Sequence, residues 1–253
     1  MRYQSLYLFQ TIGKEGEEMK CREQILEEFR KVPENTLIMT GKLYRDKFSG
    51  MMGEAAFSQA ICRLCKSNEI KRISKGIYCK PKKTRFGVVL PSDKEIVDWF
   101  TDQGNGIIVG YDLYNSLGIT TQVSRRVTTY SSLADEQLKQ IRNVTVHRHD
   151  LKYTNEVKTI ICMMELLQHY EEIQDLNYAA FLKNMESLSK QYSEKAFAIV
   201  RKEITYPKRT IAFLKKVLDF YHVANSLSRY LSSLSDYRIP EMEDLYEAAQ
   251  QHG

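Results

Sequence analysis

Gln59 and Arg63 lie four residues apart in a stretch whose apolar residues repeat at helical spacing, so their side chains share a face. An amide pairs bidentately with adenine and a guanidinium with guanine, which makes these two the candidates for reading base edges. Basic residues crowd in behind them. Residues 63–85 hold nine Lys and Arg (Arg63, Lys66, Lys71, Arg72, Lys75, Lys80, Lys82, Lys83, Arg85) against one acid, Glu69. Such a cluster concentrates a polyanion and suits phosphate contacts, which position a protein on nucleic acid without reading its sequence. Ser58, beside Gln59, serves either as a phosphate ligand or as a local cap. A solvated basic surface would carry the same charge, so the elements around the cluster have to separate the two readings.

Other groupings offer less. Cys62-x-x-Cys65 has the spacing of a metal or redox pair, with Cys79 further on. A zinc site needs four ligands, and no second such pair or His-x-His follows. The pair also falls late in a helix, where the negative end of the dipole disfavours a thiolate, so buried thiols are expected. His147 and His149, two apart on a strand, would share a face with Asp150 close behind. This allows a metal-dependent nuclease as one function hypothesis, against a plain strand end at the surface. His169 and His222 stand alone, each expected on a helix. Asp93, Glu95 and Asp98 suit the positive end of a helix dipole better than catalysis. Gly104-x-Gly106 lacks the strand–turn–helix setting of a phosphate loop. No active site assembles, and no cofactor or metal is expected.

The elements that would carry these residues follow from periodicity. Residues 1–18 are polar and aromatic without clear pattern, and Met19 offers a second translation start. From Met19, Cys21, Ile25, Leu26 and Phe29 predict a helix ending before Pro33. An apolar stretch at Ile38–Thr40, a short helical piece through Leu43, Tyr44 and Phe48, and a turn at Ser49-Gly50 come next. A third helix is predicted from Gly53 or Glu54 to about Ser67, with Phe57, Ala60, Ile61, Leu64 and Cys65 inward and Asn68 in the left-handed position that ends it. Strands at Ile70–Ile73 and Ile77–Cys79, joined by Ser74-Lys75-Gly76, make a basic hairpin. Three helices with a polar, basic outer face on the third, then a hairpin, have the layout of a winged helix-turn-helix.

Further on, Ser92 or Asp93 would cap a helix through Ile96, Val97, Trp99 and Phe100. A turn at Gly104–Gly106, a strand Ile107–Val109, a short helix ending at Gly118, and strands Val127–Tyr130 and Ile141–Val146 complete a small mixed piece. From Thr154 the pattern is helical: Asn155 to about Ile173, Tyr178–Leu188, a helix capped by Ser193, Lys208–Tyr221 opened by Pro207, Ala224–Leu234 and Glu241–Gln250. Eight tyrosines (Tyr170, Tyr178, Tyr192, Tyr206, Tyr221, Tyr230, Tyr237, Tyr246) fall in this tail, read as core packing or as an interface.

The expectation is an α+β protein: an extension over 1–18, a winged helix-turn-helix over 19–87, a small α/β region over 88–150 and a helical region over 151–253. With 43% hydrophobic and 11% aromatic residues the 253-residue chain can build a core, which excludes wholesale disorder. No run is long enough for a membrane helix and no signal peptide opens the chain, so no membrane partner and a cytoplasmic location are expected. Five cysteines in such a chain stay reduced. The net charge of +5 divides unevenly: residues 1–90 carry 18 basic and 10 acidic side chains, the remainder 19 and 22.

From Ser58-Gln59-Ala60-Ile61-Cys62-Arg63-Leu64 through Lys71-Arg72-Ile73-Ser74-Lys75-Gly76-Ile77-Tyr78, the chain resembles the signature of AbiEi-like antitoxins, the regulator half of type IV toxin–antitoxin systems. Lys80-Pro81, Thr84–Gly87, Leu90–Ser92 and the stretch from Gly110 through Leu117-Gly118-Ile119-Thr120-Thr121-Gln122-Val123 continue the likeness, which covers about residues 22–150. Cys65-Lys66-Ser67-Asn68-Glu69 departs from it, since relatives often carry a glycine before the first wing strand. The resemblance implies a non-enzymatic repressor of its own promoter on double-stranded DNA, a possible homodimer, and a nucleotidyltransferase-like toxin that it counteracts with or without direct contact. The alternative from a different class is a protein-interaction module that binds its partner through the helical tail.

Overall fold

The computed structural model describes residues 19–232 and 235–251; the expectations for residues 1–18 and for the last part of Ala224–Leu234 lie outside them. The chain is an α+β protein that parts into two compact units, one up to Trp99 and one from Phe100. The sequence-based division set a joint at 87/88 and another at 150/151.

In the first unit, helix α1 covers residues 19–30. Strand β1 (Leu37–Met39) leads into α2 (Thr40–Leu43), which widens into a π-type turn over Tyr44–Phe48. Then come α3 (Glu54–Lys66), β2 (Lys71–Ser74) and β3 (Ile77–Cys79). The three strands form one antiparallel sheet in the order β1-β3-β2. The core takes Ile25, Leu26 and Phe29 from α1, Leu43 and Phe48 from the α2 stretch, Phe57, Ala60, Ile61 and Leu64 from α3, and Ile70. Phe57 centres an aromatic cluster, 5.2 Å from the Tyr44 ring and 5.4 Å from that of Phe48. Glu28 ties α1 to the π-type turn through Lys47 and pairs locally with Lys31, and the hydrogen bonds from both lysines hold its carboxyl below the usual carboxylate range. A second hairpin, β4 (Lys82–Thr84) with β5 (Gly87–Val89), follows, and then helix α4 (Asp93–Thr101), whose last two residues belong to the second unit. Ser92 and Glu95 cap α4 reciprocally: the Ser92 hydroxyl accepts from the Glu95 amide at 3.2 Å, and the Glu95 carboxylate accepts from the Ser92 amide at 2.7 Å.

The second unit has a four-stranded sheet, order β6-β7-β9-β8, made by β6 (Gly106–Val109), β7 (Val127–Ser131), β8 (Leu138–Ile141) and β9 (Val144–Arg148). β7 and β9 pair in parallel and the outer pairs are antiparallel. The single strand expected over Ile141–Val146 is thus two strands, because Arg142, at φ 53°, turns the chain back with Asn143. Around the sheet lie α5 (Tyr111–Ser116), α6 (Asn155–His169), α7 (Tyr178–Ser189), α8 (Glu194–Glu203), α9 (Lys208–Phe220) and α10 (Met242–Gln251). Thr154, Asn177 and Ser193 cap α6, α7 and α8 with their side chains, and Pro207 precedes α9.

Helix α6 is buried nearly all round from Val157 to Leu167. It stops at His169 rather than Ile173. The helix expected over Ala224–Leu234 is only a short 3₁₀ turn, Leu227–Tyr230. His222 sits beyond α9 in a left-handed conformation, φ 57°, not on a helix. Of the tail tyrosines Tyr206 is buried, and Tyr170, Tyr178, Tyr192, Tyr221, Tyr230 and Tyr246 pack half-buried on the core. Tyr237 instead accepts the Ser232 amide at 2.9 Å. No helix among the described residues is long and apolar enough to cross a membrane.

Candidate nucleic-acid interface

Helix α3 is two-sided for a simple reason: its apolar residues fall at 57, 60, 61 and 64, a stripe that the unit's core covers. The opposite face carries Ser58, Gln59, Cys62, Arg63 and Lys66, all exposed. Cys62 therefore departs from the expected pair of buried thiols; its position on the helix, five residues after Phe57, turns it to water. Cys65 is half-buried, and burial pushes its thiol up from the ordinary value. The helix ends where Asn68 takes φ 60°, and Arg22 on α1 holds that end through Ser67 and Glu69.

The strands beside α3 bring some of the basic residues near it and lead others away. Gly76, at φ 74°, closes the β2–β3 turn with Lys75 exposed beside it. The Gly76 carbonyl accepts from the Thr40 amide at 2.9 Å and its hydroxyl at 3.2 Å, which docks the turn at the start of α2. Arg72 is exposed on β2, and its guanidinium reaches the Ser74 carbonyl only at 3.4 Å. Lys71 and Lys80 are half-buried and locally engaged, Lys71 with the Asn68 side chain at 2.5 Å and Lys80 with the Val32 carbonyl at 3.5 Å.

Lys82, Lys83 and Arg85 belong to the β4–β5 hairpin and are exposed. Its root is tied to Asn35, which donates its amide to Lys80 and accepts that of Lys82. Asn35 precedes β1 and Thr40 follows it, so the two hairpins leave opposite ends of that strand. Sequence reasoning did not find Phe86 at the second tip, 86% exposed with the Arg85 guanidinium 4.6 Å from its ring centroid. The available signal was an aromatic residue inside an acid-free run, since no Asp or Glu lies between Glu69 and Asp93.

The histidine pair of the second unit is built differently from a metal site. His147 and His149 both pack edge-on against the Tyr130 ring, at 5.8 and 4.8 Å, and burial lowers both imidazoles below their ordinary pKa. The Asp150 carboxylate goes to the Arg148 guanidinium at 3.0 Å. Among the described residues no group of three or more His, Cys, Asp or Glu is gathered to hold a metal ion.

Among solved structures the chain is similar to the crystal structure of the RV2827C protein from Mycobacterium tuberculosis, at 10% identity and TM-score 0.39 over 81% of this chain and 78% of that one. No curated protein matches it. A family model does match, over residues 24–174, from within α1 to just beyond α6, and the chain belongs to that family of unknown function, DUF6088.

Proposed function

We propose that the first unit is a winged helix-turn-helix that binds double-stranded DNA, with α3 in the major groove and the β2–β3 turn on the neighbouring backbone. One observation carries the reading: a single face of α3, opposite its buried stripe, exposes Ser58, Gln59, Arg63 and Lys66. The order α1-β1-α2-α3-β2-β3, with sheet order β1-β3-β2, supports this winged-helix reading. A helix of about 10–12 Å diameter fits a groove about 12 Å wide. Gln59 and Arg63 then face base edges, while Ser58, Lys66, Arg72 and Lys75 face phosphates. Lys71 and Lys80 contribute mainly to the positive field.

The resemblance to AbiEi-like antitoxins extends the proposal to the chain's role. It is a sequence-specific repressor of its own promoter, not an enzyme, and it counteracts a nucleotidyltransferase-like toxin. The test is a fluorescence titration against the duplex upstream of its own gene at two salt concentrations, with scrambled duplex as competitor. Specific binding that weakens steeply with salt is the expected result. Weak and equal binding to both duplexes contradicts it and favours a protein-interaction module working through its helical second unit.

A further inference from the structure

The β4–β5 hairpin is a ribbon with water on both sides. Lys82 faces Val89 and Lys83 faces Val88 across it, and all four are exposed. A two-stranded hairpin by itself is marginally stable in water, and no residue of these two strands is buried. Its tip is nonetheless well made. The Thr84 hydroxyl donates to the Gly87 carbonyl at 2.9 Å and accepts the Phe86 amide at 3.2 Å. Gly87, at φ 117°, takes the backbone conformation that returns the chain. What this turn holds out is Phe86 with Arg85 against its ring, backed by Lys82 and Lys83, while Val88, Val89 and Leu90 are 49%, 45% and 37% exposed.

An apolar protein surface covering this ribbon would strip water from three cations without pairing them. An acidic surface would pair the cations and leave the ring unused. A nucleic acid answers both, with phosphates for the cations and a flat base for the ring. Arg85 adds a planar cation that stacks as well as pairs. Resting on the DNA-binding reading above, we infer that the β4–β5 hairpin is a second, separate DNA contact, in which Phe86 stacks on or wedges against a base pair while Lys82 and Lys83 hold the flanking phosphates. Because the hairpin leaves the opposite end of β1 from the Gly76 turn, this contact falls at the edge of the site that α3 occupies. Apolar side chains pushed between base steps are an established way to grip a minor groove.

The experiment compares the full chain with Phe86→Ala, Phe86→Leu, Phe86→Trp, Lys82→Ala/Lys83→Ala and Arg63→Ala on the duplex upstream of its own gene, by titration and hydroxyl-radical footprinting. Phe86 is too exposed for its loss to unfold the chain. Phe86→Ala and Phe86→Leu should weaken binding by about tenfold or more with the salt slope unchanged, and Phe86→Trp should retain affinity. The double lysine variant should lower the salt slope by about 2. Both hairpin changes should shorten the footprint at one edge, whereas Arg63→Ala weakens it throughout. If the hairpin variants bind within twofold of wild type while Arg63→Ala is impaired, the hairpin contact is wrong and the α3 reading stands. Loss of self-association, or of binding to phosphatidylserine vesicles, with DNA binding unchanged would assign the hairpin to a second copy or a membrane and overturn the inference. If the wild-type chain binds neither the upstream nor a scrambled duplex, both readings fall together.

Discussion

In the second unit Tyr130 and Tyr206 donate their hydroxyls to one buried carboxylate, Glu165, each at 3.0 Å, whereas in the first unit Phe86 stands in water beside Arg85. The contrast runs through both regions. Glu165 is only 4% exposed, and the Tyr114 hydroxyl reaches its main-chain carbonyl, so α6 is fastened to the sheet, to α5 and to the segment before α9. There the buried Glu165 carboxyl finds its partners from within. The exposed face of α3 and the β4–β5 ribbon instead turn amide, guanidinium, ammonium and aromatic groups outward. A surface arranged this way is what the proposed DNA contact requires, whereas the groups around Glu165 are engaged in holding α6 to its neighbours.

The comparison can be broken most severely at Gly106 in β6. A Cβ there would meet the Tyr130 and Phe100 carbonyls, the latter at 2.6 Å, and neither backbone oxygen can step aside. Gly106→Ala should cost about 3 kcal/mol or more, read as a lowered melting temperature, and a stable Gly106→Ala protein would show that the sheet yields there.

Glu165→Gln sharpens the contrast next. Burial, the dominant effect, pushes this carboxyl above its ordinary 4.5, although the Tyr130 and Tyr206 hydrogen bonds pull the other way. The folded chain therefore keeps its proton where the unfolded chain has lost it. Stability falls as pH rises above 4.5, and the loss levels off once pH passes the folded value. Acids with lowered values, such as Glu171, slope oppositely, but they cancel when wild type and variant are compared. The stability advantage of wild type over Glu165→Gln should shrink as pH climbs above 4.5; a pH-independent difference would mean that Glu165 is ionised in the fold.

Arg63→Ala acts on the outward-facing region alone. It should cost about 1–3 kcal/mol in binding to the upstream duplex and relax discrimination against scrambled DNA, with the melting temperature unchanged. Gly87→Ala is the mildest change. Its Cβ would meet nothing, so only the positive φ opposes it, at about 1 kcal/mol. Faster amide exchange confined to β4 and β5 is expected, and a shifted global melting temperature would tie that ribbon to a core.

Regions fixed by local patterns could be read before the structure. Phe57, Ala60, Ile61 and Leu64 gave α3 and its inner face, Asn68 its end, and Ser193 and Pro207 the starts of two later helices. What escaped depends on partners distant in sequence or on weak turn signals. Lys82-Lys83-Thr84 shows no apolar alternation, so its pairing with Gly87–Val89 was invisible. The Arg142-Asn143 turn has no glycine to announce it, and the parallel β7–β9 ladder leaves no local trace. Helix α6 hid Glu165 because a helix buried on every side has no polar face against which a buried acid stands out. The α3 face was legible as chemistry through Gln59 and Arg63, while Phe86 lacked any pattern around it.

Cys62 offers the most direct measurement. Of the five cysteines it is the exposed one, and it lies on α3 between Gln59 and Arg63. Its alkylation rate with and without the upstream duplex, read site by site by mass spectrometry, reports whether DNA covers that face. The account predicts that saturating duplex slows modification of Cys62 at least tenfold and that scrambled duplex at high salt does not. Alkylation of Cys62 at an unchanged rate while the duplex is bound would contradict it.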